Sequence, residues 1–211
     1  MKLYIYEHCP FCCRARMIFG LKGLSVDIEV VMEGDAETPL RLVGRKVLPV
    51  LQKPDGTHMA ESMDIVRFVD GLKGSPIIGQ AGSSDLAQWY EATWPLTLKL
   101  FIPRFTRAQF VELSTPDARE AYRLREVEAF GDLEELVSQT PALLRQMNVM
   151  LGKLERLLAA HRSLNTDDFL IYPLLRSLSI VKGTGFGREA RAYMKRMEDA
   201  TGVPLLFAQA A

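Results

Sequence analysis

Cys9-Pro10-Phe11-Cys12 is the segment of this chain with the plainest capacity for chemistry. Two thiols at that spacing can exchange with a disulfide: one attacks as its thiolate, and the other resolves the mixed disulfide that forms. If the segment opens a helix, both thiols share one face of it. Pro10 suits a first helical turn, where its missing N–H is no loss. The unsatisfied N–H groups and positive dipole end of that turn would favour a thiolate on Cys9. The competing readings are a pair of small buried hydrophobes and half of a metal site. A zinc site normally draws a second ligand pair from elsewhere, and beyond residue 13 there is no cysteine. Only His58 and His161 remain besides His8. Haem attachment would require histidine where Cys13 stands.

The neighbours of the motif are harder to place. Cys13 shares a helical face with Met17, Gly20, Leu21 and Leu24, which marks it as a core position. His8 adjoins Cys9 and either helps to hold its thiolate or is an exposed spacer. Arg14 and Arg16 read as a solvated helix face rather than as partners of a thiolate. Two further features lie downstream. Pro49, set between apolar residues in an extended run, belongs at a strand start, a sheet edge or a cis turn. A cis bond there would offer the main chain of Leu48 to an extended peptide. Glu61-Ser62 directly precedes a helical pattern, where a hydroxyl, free N–H groups and a carboxylate would suit an amino-acid head group. Ser62 could equally be a simple N-cap.

The elements that must position these residues follow from periodicity. Residues 2–6 alternate as a strand, residues 10–22 form a helix closed by Gly23, and residues 26–31 alternate again. That makes a βαβ unit with parallel strands and a right-handed crossover. A short helix over 37–43 ends at Gly44, an extended run covers 47–52, and Lys53-Pro54-Asp55-Gly56-Thr57 is a hairpin turn. An amphipathic helix over 63–72 completes the order β-α-β-α-β-β-α.

Glycine, proline and serine then accumulate, placing a linker at 73–84 between a first domain at 1–72 and a second at 85–211. The second domain shows only helical patterns, with start signals at Thr115-Pro116, Thr140-Pro141 and Asn165 with Asp168. It is expected to wall the first domain's cleft without supplying a catalytic group. Trp89, Tyr90 and Trp94 read as a packing stripe, and His161 as a cation at a helix end.

Composition narrows the function. The 26 basic residues balance 26 acidic ones, so no overall field draws in nucleic acid or an anionic membrane. No apolar run reaches the length of a membrane span, and Glu7 comes too early for a signal-peptide core. Three cysteines within five residues are no secreted disulfide scaffold, and a cytoplasmic location is expected.

The stretches Tyr6-Glu7-His8-Cys9-Pro10-Phe11-Cys12, Ala15-Arg16-Met17-Ile18-Phe19-Gly20-Leu21-Lys22 and Glu61-Ser62-Met63-Asp64-Ile65-Val66 resemble the bacterial two-domain glutaredoxins shaped like a glutathione transferase. The likeness continues through Leu100-Phe101-Ile102-Pro103-Arg104-Phe105 and Tyr172-Pro173-Leu174-Leu175-Arg176, over the whole chain. It implies an α/β thioredoxin-like N-terminal domain followed by an all-α C-terminal domain, in a glutathione-transferase-like architecture. It also implies a glutathione-dependent thiol-disulfide oxidoreductase. Cys9 would be the nucleophile towards glutathione mixed disulfides and Cys12 the resolving thiol. The Leu48-Pro49 bond would be cis, with the Leu48 main chain pairing the cysteinyl part of glutathione, and Glu61 and Ser62 would bind its γ-glutamyl end. Phe11 replaces the family's common tyrosine and removes only a hydroxyl. Cys13 replaces a commoner aliphatic residue and adds a thiol that could scramble the disulfide.

Glutathione is therefore expected as co-substrate, with glutathionylated or disulfide-containing proteins as partners. No metal, nucleic acid or membrane is expected, and the chain is expected to act as a monomer. One rival is a glutathione transferase, which needs a hydroxyl or a single cysteine where two thiols stand. Another is a transferase-shaped binding or membrane-inserting protein, which usually lacks the second thiol. A third, iron–sulfur carriage by a glutathione-bridged dimer, is disfavoured by Pro10, which stiffens the loop.

Overall fold

In the computed structural model, which describes residues 1–79 and 82–211, alternation in the first strand feeds two cores. Leu3 and Ile5 of β1 (Lys2–Ile5) point into the main core, while Tyr4 joins Tyr6, Val31 and Val50 in a smaller cluster on the other sheet face. From β1 the chain enters α1 (Pro10–Lys22), closed by Gly23 in the left-handed conformation, and returns as β2 (Asp27–Val30), parallel to β1. After α2 (Glu37–Val43) come β3 (Val50–Gln52) and β4 (His58–Ala60), each antiparallel to its neighbour in the sheet order β2-β1-β3-β4.

Strands β1 and β2 are a residue or two shorter than periodicity alone suggests, and two further elements are cut short for identifiable reasons. β3 starts only at Val50, since Pro49 has no N–H for a ladder. Helix α3 (Ser62–Asp70) stops before Leu72, which is exposed rather than part of an apolar stripe. Its last residue explains the stop: the buried Asp70 carboxylate accepts the N–H groups of Ile77 and Ile78 and pairs with Lys22 at 2.6 Å, turning the chain away. The expected linker at 73–84 includes residues 80 and 81, which lie outside the described residues.

The second half is helical: α4 (Ser84–Phe105), a 3-10 turn (Val111–Leu113), α5 (Pro116–Phe130), α6 (Leu133–Ser138), α7 (Thr140–Ala160), α8 (Asp168–Leu178) and α9 (Arg188–Thr201), with a further 3-10 turn at Phe207–Gln209. Thr115 caps α5 by accepting the Ala118 N–H. Ahead of α8, the Asp168 carboxylate accepts the Asn165 N–H while the Asn165 side-chain oxygen accepts the N–H of Asp167, the N-cap position, so the capping box is only half formed. Thr140 is no cap. The Gln139 N–H still bonds the Glu135 carbonyl, so α6 runs almost directly into α7, and the Thr140 hydroxyl instead accepts from Arg104.

Helix α1 joins the halves, packing on α3 within its own half and on α8 and α9 of the other. Gly20 permits this approach: a Cβ there would lie 2.1 Å from the Thr201 carbonyl oxygen. No helix among the described residues is long and apolar enough to cross a membrane.

Candidate active site

Cys9 is the N-cap of α1. Its backbone is extended, its carbonyl accepts the first helical N–H from Cys13 at 2.9 Å, and its sulfur accepts the Cys12 N–H at 3.4 Å. The side chain is half-buried and faces a cleft, whereas Cys12 is fully buried with its sulfur accepting the Tyr6 N–H. The two thiols are thereby made unlike. A hydrogen bond from the Cys12 thiol, the charge of His8 and the N–H groups of Cys12 and Phe11 together outweigh burial and pull the Cys9 thiol down to about 6. Burial, reinforced by the Cys9 sulfur, pushes Cys12 well up.

Cys13 is 1% exposed, and burial raises its thiol as well. Alkylation of the reduced protein should therefore label Cys9 fastest, with Cys12 and Cys13 both slow, which peptide mapping of the products checks. Rapid labelling of Cys13, or a Cys9–Cys13 disulfide on oxidation, would count against this placement.

Sheet register gathers the other sequence-selected residues at one end. Pairing of Val50 with both Tyr4 and Ala60 puts Leu48-Pro49 and Glu61-Ser62 beside the strand end from which β1 leads to Cys9. The Leu48-Pro49 bond is cis, and neither the N–H nor the C=O of Leu48 has a partner among the described residues. Cys9 and Leu48 both pack against the small tyrosine cluster. Glu61, with φ of 70°, is the N-cap position of α3, and its carboxylate pairs with Arg45 at 2.8 Å. Ser62 is therefore the first helical residue rather than the cap. The first bonds of α3 run from Asp64 and Ile65 to the Glu61 carbonyl, leaving the Ser62 and Met63 N–H groups without a backbone acceptor among the described residues.

The helical half contributes more than its sequence suggests. A cleft of about 220 Å³ runs between the halves, lined by Cys9, Phe11, Trp94, Phe101, Tyr122 and Arg125 among others. Trp94 thus faces the cleft, and the Tyr90 hydroxyl accepts from Arg14, which is buried over the Phe11 ring rather than solvated. Trp89 alone of the three aromatics is buried, donating to the Met150 carbonyl. His8 is no exposed spacer. It is 5% exposed, and Glu112 of the 3-10 turn accepts its backbone N–H at 2.9 Å and lies 2.7 Å from Nδ1. His161 sits away from this cleft, paired with Asp168, whose carboxylate raises its pKa.

Two family models cover most of the chain: the glutathione S-transferase N-terminal domain over residues 8–72, and the glutaredoxin 2 C-terminal domain over residues 85–210. Glutaredoxin 2 of Escherichia coli (strain K12) is 39% identical over 214 residues, covering 100% of both chains. The chain belongs to the glutaredoxin 2 family. The crystal structure of glutaredoxin 2 from Salmonella typhimurium in complex with glutathione superposes with a TM-score of 0.97 at 36% identity, over 100% of this chain and 98% of that one. A glutathione transferase of Phanerochaete chrysosporium, at 16% identity and a TM-score of 0.71 over 94% and 96% of the chains, shares the fold alone. As a glutaredoxin the chain is a glutathione-dependent oxidoreductase, built as a thioredoxin-like sheet domain with a helical domain behind it.

Proposed function

We propose that this chain reduces glutathione mixed disulfides and protein disulfides through Cys9 and Cys12, with glutathione as co-substrate. The observation that carries the reading is the contrast between the two thiols: a cleft-facing Cys9 held as thiolate and a buried Cys12 kept protonated. On a mixed disulfide, the Cys9 thiolate attacks the glutathionyl sulfur and the protein thiolate leaves and takes a proton. A second glutathione, as thiolate, then attacks the Cys9-bound disulfide, so that oxidised glutathione departs and the Cys9 thiolate is restored. On a protein disulfide, Cys9 forms a mixed disulfide with the substrate. Cys12 loses its proton and displaces the substrate, and the resulting Cys9–Cys12 disulfide is reduced by two glutathione molecules.

Glutathione lies, in this reading, along the sheet end. The Leu48 main chain beside Pro49 pairs its cysteinyl part, and Glu61 and Ser62, with the free N–H groups of α3, hold its γ-glutamyl end. Support comes from the unpaired main chain of Leu48 and the open helix start at Ser62. The division into residues 1–72, a linker at 73–84 and residues 85–211 draws support from the change from sheet and helix to helix alone between α3, which ends at Asp70, and α4, which starts at Ser84. The reading extends to a monomer acting on glutathionylated proteins in the cytoplasm, supported by three cysteines confined to residues 9–13, too close together for a secreted disulfide scaffold.

The test is turnover of a glutathionylated peptide beside conjugation of a chloronitrobenzene to glutathione. Activity on the first and none on the second is expected, and the reverse would make the chain a transferase. Ser62→Ala should raise KM for the glutathionylated substrate by an amount equivalent to about 1–3 kcal/mol, the loss of one or two hydrogen bonds to a charged group. Kinetics matching the wild type would remove Ser62 from the site.

A further inference from the structure

We propose that Glu112, supplied by the helical half, is a positioning residue for the attacking thiolate: it clamps the main chain and imidazole of His8 against the Cys9 cleft. The inference rests on Cys9 being the attacking thiol. Glu112 is 0% exposed and lies 104 residues from His8, yet one oxygen, Oε1, meets both the His8 N–H at 2.9 Å and Nδ1 at 2.7 Å. Both atoms of His8 are thus fixed by one carboxylate, leaving Nε2 as the nitrogen not engaged by Glu112. Its other oxygen, Oε2, is buried with no hydrogen-bond partner among the described residues. A buried carboxylate left half-satisfied lowers stability, so a merely structural role explains it poorly.

The ring is packed among aromatics: Tyr6 stacks on it at 5.4 Å between centroids, Tyr122 meets it edge-on at 5.0 Å, and Phe105 and Phe110 lie at 5.6 and 5.8 Å. The titratable groups facing this cage are Tyr6 from the end of β1, Cys9 and Cys12 from α1, Glu112 from the 3-10 turn and Tyr122 from α5. Behind Tyr122 lies the Glu33–Arg125–Glu126 cluster. His8 and Cys9 line the same cleft, and the charge of His8 is among the influences favouring the Cys9 thiolate. Because the clamp arises from the second half, the helical domain reaches the chemistry through His8 instead of only walling the cleft.

The experiment is the pH dependence of Cys9 alkylation by iodoacetamide, followed by mass spectrometry on the full chain without turnover. Failure here is thereby separate from failure of the catalytic assignment, which activity measurements address. Glu112→Gln keeps an acceptor for the His8 N–H but removes the charge. It should move the alkylation midpoint up by about one pH unit, roughly a tenfold smaller thiolate fraction on the acid side. His8→Gln should do the same, and the double variant should move it no further than either alone. An unmoved midpoint in Glu112→Gln, even with lowered thermal stability, overturns the proposal. Should the variants not fold, the wild type still decides it: His8 ring resonances should shift as Cys9 ionises and lose that response once Cys9 is alkylated, and an absent response overturns the proposal.

Discussion

Cys9→Ser is expected to abolish turnover of glutathione mixed disulfides, a loss on the order of a thousandfold or more. Serine at the cap can still accept the Cys12 N–H, so α1 should form unchanged, but a hydroxyl does not ionise under conditions where Cys9, drawn down to about 6, is largely thiolate. Cys12→Ser separates the two reactions. Its hydroxyl can replace the thiol as donor to the Cys9 sulfur, which preserves the foremost cause of the low Cys9 pKa. Reduction of mixed disulfides, which needs one thiol, should survive, while reduction of protein disulfides that need the second thiol should be lost. Cys12→Ala offers no such donor and should raise the alkylation midpoint of Cys9 relative to Cys12→Ser. Steady-state assays on a glutathionylated peptide and on a protein disulfide, run for each variant, check the assignment. An active Cys9→Ser would reverse the roles of the two cysteines.

Gly20→Ala should be the most damaging substitution away from the thiols. The added methyl would sit 2.1 Å from the Thr201 carbonyl oxygen and 2.5 Å from its carbon. The obstacle is main chain at the end of α9, not the tip of a mobile side chain, so α1 and α9 must separate or tilt. Such overpacking costs about 2–4 kcal/mol, a fall in Tm of roughly 5–15 °C for a chain of this size. Gly152→Ala is the control. Gly152 lies within α7 with nothing within 4 Å of its would-be Cβ, and alanine there should add up to about 1 kcal/mol through helix propensity. Thermal unfolding of both variants tests the pair, and an unchanged Tm for Gly20→Ala would mean that the interface of α1 and α9 yields readily. Because Cys9 opens the same helix, Gly20→Ala should also reduce the fraction of molecules with a correctly seated active site.

What the sequence by itself determined is what arises between near neighbours. Alternation from Lys2 to Tyr6 specified the first strand, Pro10 and Gly23 bracketed α1, Asp55-Gly56 made the hairpin turn, and Thr115 capped α5. Cys9 at a helix start, Cys12 one turn on and Cys13 in the core all follow from spacing within that helix. Where residues alone left Pro49 open between a strand start, an edge and a cis turn, family resemblance singled out cis, which is the form present.

Only the tertiary structure decided the rest. Arg14 looked solvent-directed and His8 stayed open between a thiolate neighbour and an exposed spacer, because no periodic pattern marks a polar side chain whose partners, Tyr90 and Glu112, lie 76 and 104 residues away. Thr140 carried a cap signature but stands where α6 already continues towards α7, so its hydroxyl was free to take Arg104. Glu112 itself bore one faint sign, a carboxylate between Val111 and Leu113 just ahead of a helix cap. A buried charge becomes legible only when the groups that satisfy it are brought together by folding, and chain proximity carries no record of that.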